Sequence, residues 1–546
     1  MTKKFLILLF IAAFIACGKN EKSQRQTPQP STMQQELMPT RAPGKFVSVF
    51  NDKFLDAQGR HLLLHGINLV NKNKKVNYLG DEGADTFADM KKWGLNCIRL
   101  GIIWDGLEPK PGVYDESYLK GIDQRIAWAK ENGLYVILDM HQDLFSVRFA
   151  DGAPEWATLT NDQPHIHNSP VWSDAYFTSP AVQKAFDNFW NNAPAPDGIG
   201  IQEHYARAWA HVAKRYADEP TVIGYDLMNE PFVGSPAPKI QAVMFRKGAE
   251  ILKAKGVLGS LTAADLAAQW MTPKGRSWLM QQLEDIDVYK QVIDATAPYY
   301  IKFERTILSR MYQRVARAIR SVDPNHILFL ETTIASNMGV YSGLRPVRLR
   351  GKRDPLQAYA PHGYDLVTDT KDVAAANPER IRLIFTRHGE TAKKLNMPML
   401  VGEWGAYGFA ASALPAARVV VREFEKLLCG DTYWTFEKGI EKTNHFRAIQ
   451  RPYPQAVCGV LQSYHFDTEK NIFSCEWLES PQNQTETIIY LPDWCAPYIQ
   501  SIRLTPEGRG YHTEELLSPE NVILKIPPSG TGGKRKLEIV LRESKE

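Results

Sequence analysis

What the chain lacks narrows the field first. Its net charge is only +4 over 546 residues. Nucleic-acid binding demands a clear basic excess, so no nucleic-acid partner is expected. The N-terminal apolar run Phe5–Ala16 falls short of the roughly 20 residues that a membrane-spanning helix needs, and no later run does better. The six cysteines include no C-x-x-C pair, which argues against the common structural zinc sites, and no metal or cofactor is expected. A glycine-rich phosphate loop is also missing after the first apolar strand. His65-Gly66-Ile67-Asn68 stands there instead, which argues against an open dinucleotide-binding sheet.

What is present begins with size. The length suits a large barrel plus a smaller companion domain, and 44% hydrophobic residues suffice for a sizeable core. Aromatic residues are plentiful, with 13 Trp and 22 Tyr; most serve as core filling, although flat sugar rings also stack on such side chains. Lys3 and Lys4 precede the run Phe5–Ala16, which ends at Phe14-Ile15-Ala16-Cys17-Gly18. A basic start, a short apolar stretch and small residues before a Cys resemble a bacterial lipoprotein signal. On that resemblance, residues 1–17 are the signal, Cys17 is acylated, and the chain is exported and held to a membrane by its lipid. Residues 18–44 are rich in Lys, Gln, Ser, Thr and Pro and read as a flexible tether. Cys97 falls in a buried strand as a packed thiol. Cys429, Cys458, Cys475 and Cys495 are free to pair in an oxidising compartment, with connectivity open.

From residue 45, short apolar strands recur, most of them rich in Val, Ile and Leu: His61–Val70, Asn96–Trp104, Tyr135–Asp143, Val222–Pro231, Ile327–Ile334, Ala358–Asp365, Pro398–Gly405 and Asp431–Glu437. Helical patterns separate several of them, among them Asp85–Trp93, Lys120–Asn132, Gln202–Tyr216 and Phe303–Val322. Parallel strands joined by helical crossovers, eight in number, predict a closed (β/α)₈ barrel over 45–445. Long segments follow strands three, four and five: 144–200, a helical insert over 236–300, and 335–357 with the basic run Arg345 to Arg353. Residues 446–546 hold short strands split by Pro, Gly and Asn and predict a C-terminal β-sandwich.

Reactive groups of such barrels stand at the C-terminal ends of the strands. Arg99 lies on strand two. Strand three ends Asp139-Met140-His141-Gln142-Asp143, and strand four ends Met228-Asn229-Glu230-Pro231. Strand six holds His362-Gly363-Tyr364, strand seven ends Gly402-Glu403-Trp404-Gly405, and strand eight ends Tyr433-Trp434. Two carboxylates facing each other across the barrel mouth are what glycosidic cleavage requires. One protonates the leaving oxygen; the other, about 5–5.5 Å away, attacks the anomeric carbon with retention. Asn229 is placed to donate to a sugar 2-hydroxyl, while Tyr364 and Arg99 are placed to keep Glu403 ionised. A buried carboxylate at a strand end is costly without a task, so Glu230 and Glu403 are read as functional. His141 and His362 are read with them rather than as core histidines.

Residues 45 to about 545 resemble the endoglycoceramidases of glycoside hydrolase family 5. Arg99, His141, Asn229, Glu230, His362, Tyr364, Glu403 and Trp434 match the general family pattern. The narrower likeness rests on Asp139–Asp143, Gly152-Ala153-Pro154-Glu155-Trp156, Phe186-Asp187-Asn188-Phe189-Trp190 and Arg451-Pro452-Tyr453-Pro454. The resemblance implies Glu230 as acid/base and Glu403 as nucleophile, with Asp143, Asn229 and Trp434 on the sugar beside the scissile bond. Trp190 is a further implied sugar contact, and a sugar-contacting lysine is either Lys72 or Lys74. The implied substrate is a glycosphingolipid, cut between oligosaccharide and ceramide by a monomer. Two other readings stand beside it: a family 5 β-glucanase or β-glucosidase acting on another β-glucoside, and a non-catalytic surface glycan-binding lipoprotein. The second conflicts with the presence of both carboxylates.

Overall fold

The computed structural model describes residues 44–542 except 168, 170, 483, 507–509 and 516–521. The expected signal, Cys17 and nearly all of the tether lie outside the described residues. No helix among the described residues is long and apolar enough to cross a membrane.

Eight parallel strand positions form the central ring: β1 His65–Leu69, β2 Cys97–Ile103, β3 Tyr135–His141, β4 Val222–Asp226, β5 Ile327–Leu330, β6 in two pieces (Gln357–Tyr359 and His362–Gly363), β7 Leu400–Gly405 and β8 Gly430–Trp434. Each pairs in parallel with the next. β6 joins β5 through its first piece and β7 through its second, with Tyr359 bridging Met399. β8 returns to β1, so the ring closes as the (β/α)₈ barrel that the alternating pattern predicts. Helices such as Ala84–Lys92, Glu116–Glu131 and Ile201–Tyr216 cover the outside, their apolar stripes turned to the sheet. Asp115 caps the second of these by accepting from the Ser117 and Tyr118 amides.

The barrel's N-terminal end is filled with apolar side chains. Cys97, Ile137, Ile223, Ile327, Phe329 and Leu400 pack there with Phe54 from an N-terminal hairpin, whose ring lies 5.9 Å from that of Phe329. That hairpin, Ser48–Phe50 and Lys53–Leu55, continues through His61–Leu62 into a sheet with Tyr453–Val457, Thr487–Leu491, Val522–Ile526 and His512–Glu515. A second sheet of Val460–Asp467, Ile472–Glu479, Gly533–Leu541 and Ile499–Thr505 packs on it around Trp477, Tyr453, Leu524 and Ile539. Tyr490 and Tyr453 fasten this sandwich to the barrel by donating to the Lys92 and Gly94 carbonyls at 3.0 and 2.8 Å. Gly94 has φ +82°, and a Cβ there would stand 2.2 Å from the Tyr490 ring, so only glycine fits.

The segment after β4 forms five helices: Ala237–Ala254, Ala263–Trp270, Pro273–Gln282, Ile286–Asp294 and Ala297–Phe303. Phe245, Leu252, Leu258, Leu266 and Leu279 give it a small core of its own. Cys97, Cys429, Cys458, Cys475 and Cys495 are all buried and unpaired.

Candidate active site

The interior of the barrel changes character toward the strands' C-terminal ends. Above the apolar plug stands a layer of buried charge organised by Arg99, which is fully buried. Its guanidinium donates to Asp226 at 3.0 Å, Asn68 at 3.0 Å, Glu403 at 2.8 Å, Asn229 at 2.9 Å and Glu331 at 2.8 Å. It also lies 2.9 Å from Asp139. One cation inside four carboxylates meets the requirement that buried charge be paired and hydrogen-bonded.

Glu230 and Glu403 face each other over this layer. Glu230 has φ +43°, a left-handed conformation that costs a non-glycine residue about 1–3 kcal/mol and concentrates at functional sites. Its surroundings impose it. The Glu230 amide donates to Glu331 at 2.7 Å, and Gln142 donates to the Asn229 and Glu230 carbonyls at 2.8 and 3.1 Å. Glu230 Oε1 accepts from Asn337 Nδ2 at 2.5 Å and lies 2.9 Å from His362 Nδ1. Glu403 accepts from Arg99 on one oxygen and from the Tyr364 hydroxyl, at 2.9 Å, on the other. His362 stands between the two, its Nδ1 3.5 Å from Glu403 and its Nε2 3.2 Å from Glu331. Burial alone would neutralise His362, but Glu331, Glu403 and Glu230 override it and hold the imidazole well above its ordinary pKa. Burial pushes Glu403 up to about 7, against the downward pull of His362 and Arg99. Oxygens of Glu230 and Glu403 and a His362 nitrogen all lie within 4.8 Å of one another.

A second group lines the mouth beside them. His141 Nδ1 donates to Asp139 at 2.7 Å; burial and the nearby Lys72 charge lower its pKa, so the ring is neutral. Its Nε2 is buried and has no hydrogen-bond partner among the described residues. The ring stacks on Trp434 at 5.2 Å and 12°. Lys72 pairs with Asp143, lies 3.6 Å from Asp151, and stands over the Trp434 ring at 4.9 Å. Lys74 instead pairs with Asp105 at 2.7 Å and is largely exposed. Of the two lysines, the structure brings Lys72 to the site.

Trp190 is placed elsewhere. Its indole donates to the Phe232 carbonyl at 2.9 Å, and its ring packs among Phe186, Phe189 and Phe303. These contacts fix an aromatic cluster and bring Trp190 to neither carboxylate. The remaining sequence-predicted residues, Arg99, His141, Asp143, Asn229, His362, Tyr364 and Trp434, do converge with Glu230 and Glu403.

Among the described residues, three clusters have the spacing for a cation: His141 with Asp143 and Asp151, Glu230 with His362 and Glu403, and Asp139 with Asp226 and Glu331. Each already holds one of the protein's own, namely Lys72, protonated His362 and Arg99. An ion would have to displace it.

Residues 55–439 match the cellulase domain of glycosyl hydrolase family 5, and residues 451–539 match the family 5 C-terminal domain. The chain belongs to glycoside hydrolase family 5. It is 36% identical over 258 residues to an endoglycoceramidase of Hydra vulgaris, covering 42% of this chain but under half, 44%, of that enzyme. Endoglycoceramidase I of Rhodococcus hoagii is 24% identical over 502 residues, 87% of this chain and 88% of its own. The structure of endo-glycoceramidase II from Rhodococcus sp., solved as a ganglioside GM3 complex, superimposes with a TM-score of 0.68 at 25% identity, covering 90% of this chain and 100% of that one.

For a family 5 hydrolase the geometry speaks to stereochemistry. Carboxylate oxygens within 4.8 Å fall on the retaining side, because inversion separates the carboxyls by about 6.5–9.5 Å to admit a water. Four site residues escaped the sequence reading. Glu331 and Asp226 obey the same strand-end rule that found Glu230, and Glu331 directly follows β5. Asn337 and Asp151 stand in loops without periodicity and carried no signal.

Proposed function

We propose that the chain is a retaining endo-β-glycosidase that hydrolyses the bond between oligosaccharide and ceramide in glycosphingolipids. Glu230 is the acid/base and Glu403 the nucleophile. Trp434 offers its face to the sugar beside the scissile bond, and Lys72, Asp143 and His141 Nε2 bond its hydroxyls. Asn229, oriented by Arg99 and by its own bond to the Gln142 carbonyl, donates to the 2-hydroxyl. Glu403 attacks the anomeric carbon and the C1–oxygen bond breaks. Glu230 gives its proton to the departing ceramide oxygen, which leaves a glycosyl ester on Glu403. Glu230, now the base, takes a proton from water; the oxygen attacks C1, Glu403 is released, and the β-configuration is restored. The single positive field of Arg99 and His362 stabilises the one negative charge that passes between the two carboxylates. Cys17 carries the lipid that holds the exported enzyme at a membrane, where its substrate lies.

The observation that carries the reading is the Glu230–His362–Glu403 cluster in a chain aligned along nine-tenths of its length with a ganglioside-complexed endoglycoceramidase. Incubation with ganglioside GM3 and, separately, with cello-oligosaccharides tests it by product mass. Intact GM3 oligosaccharide plus ceramide is the expected result. Removal of single sugars from the GM3 end, or cleavage of cello-oligosaccharides alone, overturns the substrate assignment.

A further inference from the structure

Asn337 belongs to a short 3-10 turn, Ile334–Met338, that follows β5. Its buried Nδ2 donates to Glu230 Oε1 at 2.5 Å, and His362 Nδ1 meets the same oxygen at 2.9 Å. Its backbone carbonyl accepts from the Tyr364 amide at 2.9 Å, and the Tyr364 hydroxyl in turn donates to Glu403. One residue thus touches one carboxylate directly and the other through a single intermediary. Two donors converging on Oε1 leave Oε2 as the oxygen that carries the proton of a protonated Glu230.

The helical insert holds this turn from outside. Tyr289, in helix Ile286–Asp294, donates to the Met338 carbonyl at 2.6 Å. Glu304 opens a π-helical turn, Glu304–Leu308, just where the insert ends. Such turns recur at functional sites. Buried and without a cation partner among the described residues, Glu304 accepts from the Thr333 amide at 2.9 Å, the Thr333 hydroxyl at 3.0 Å, the Ser342 hydroxyl at 2.7 Å and the Gly343 amide at 2.5 Å. One carboxylate therefore clasps both ends of the loop that carries Asn337. A Cβ at Gly343 would stand 2.6 Å from the Ile301 carbonyl oxygen, so the loop can lie against the insert only as glycine.

We propose that Asn337 is a positioning residue for the acid/base, a donor that directs the proton of Glu230 to the oxygen facing the leaving group. Tyr289 and Glu304 are positioning residues through which the insert keeps Asn337 in place. The proposal rests on the acid/base reading of Glu230. It gives the insert a role in proton delivery.

Proton delivery matters most when the leaving group is poor, which supplies the test. Full-length wild type, Asn337→Leu, Glu304→Gln and Tyr289→Phe are compared on phenyl and 2,4-dinitrophenyl β-lactosides. Asn337→Leu should lower kcat/KM about 100-fold on the phenyl glycoside and less than about 3-fold on the dinitrophenyl glycoside, in line with the usual worth of general acid catalysis. Glu304→Gln and Tyr289→Phe should show the same selective loss at about 5–20-fold, following the loss of one supporting hydrogen bond. Tyr289→Phe removes only a hydroxyl and stays informative if the other two fail to fold. Equal losses on both substrates, or none in Tyr289→Phe, would overturn the assignment. The ratio is read on soluble glycosides, so it stands or falls independently of whether ganglioside is the substrate.

Discussion

Replacing Arg99 by Met removes the guanidinium that pairs with Asp139, Asp226, Glu331 and Glu403 at 2.8–3.0 Å, all of them buried, and leaves His362 as the cation beside Glu331 and Glu403. Methionine fills comparable volume but neutralises nothing. Removing one partner of a buried pair costs about 3–5 kcal/mol, because the charge left behind is uncompensated. Here several are left, so the upper end of that range is expected at pH 8. The loss should depend on pH in a definite direction. Burial pushes Asp139 up to about 6 and Glu403 up to about 7. An acid whose folded pKa is raised favours the folded state below its unfolded pKa, and that contribution is lost as pH rises through the folded value. Arg99 and His362 offset this loss together in the wild type; the variant keeps His362 but loses the guanidinium, the larger of the two at Asp139. At pH 5 both groups hold protons, and the destabilisation should shrink by half or more. Urea unfolding followed by tryptophan fluorescence at pH 5 and pH 8 measures both. A loss under about 1 kcal/mol at pH 8, or a larger loss at pH 5 than at pH 8, would refute the account of the charged layer.

Further expectations follow from the same geometry. Glu230→Gln and Glu403→Gln should each remove nearly all turnover while circular dichroism stays unchanged; near-normal rates in either would reject the carboxylate assignment. Proton NMR of the first-formed sugar should show the β-anomer, and first appearance of the α-anomer would contradict retention. The acid limb of kcat/KM should lie near pH 7, because Glu403, pushed up to about 7, must be ionised to attack. Tyr364→Phe removes a donor that favours the anion and should move that limb upward, so a limb that stays or falls speaks against the contact. Cys17→Ser should release the protein from the membrane fraction, and unchanged association would count against lipidation there.

The barrel was readable because most of the eight strands carry short Val, Ile and Leu runs, the pattern of a parallel sheet covered on both faces, while strands six and eight were placed by their aromatic and small apolar residues. Glu230 and Glu403 were readable because a carboxylate at a strand end is conspicuous. Glu331 obeys the same rule, yet it sits inside the expected run Ile327–Ile334 and was passed over as part of a strand. Asn337 was not legible: its role depends on where a 3-10 turn is held by Tyr289 and Glu304, and no local pattern encodes a contact made across 49 residues. Lys72 and Lys74 were indistinguishable by type and spacing, and only the fold separates one over Trp434 from one at Asp105. Trp190, carried over by resemblance as a sugar contact, stands in the fold among Phe186, Phe189 and Phe303 with its indole bonded to the Phe232 carbonyl, an environment that no local pattern gave. His61–Leu62, beside the N-terminal hairpin, also gave no hint that it would pair with Ala456 and Val457, about 400 residues away.

The central claim is that Glu403 forms a covalent bond to the sugar while Glu230 handles the proton. A 2-deoxy-2-fluoro-β-lactosyl fluoride slows both steps but makes ester formation the faster. Intact mass followed by peptide mapping should find one fluorolactosyl group on Glu403 in the wild type and none in Glu403→Gln. Label on Glu230, or no adduct under conditions where the wild type is inactivated, would contradict the account.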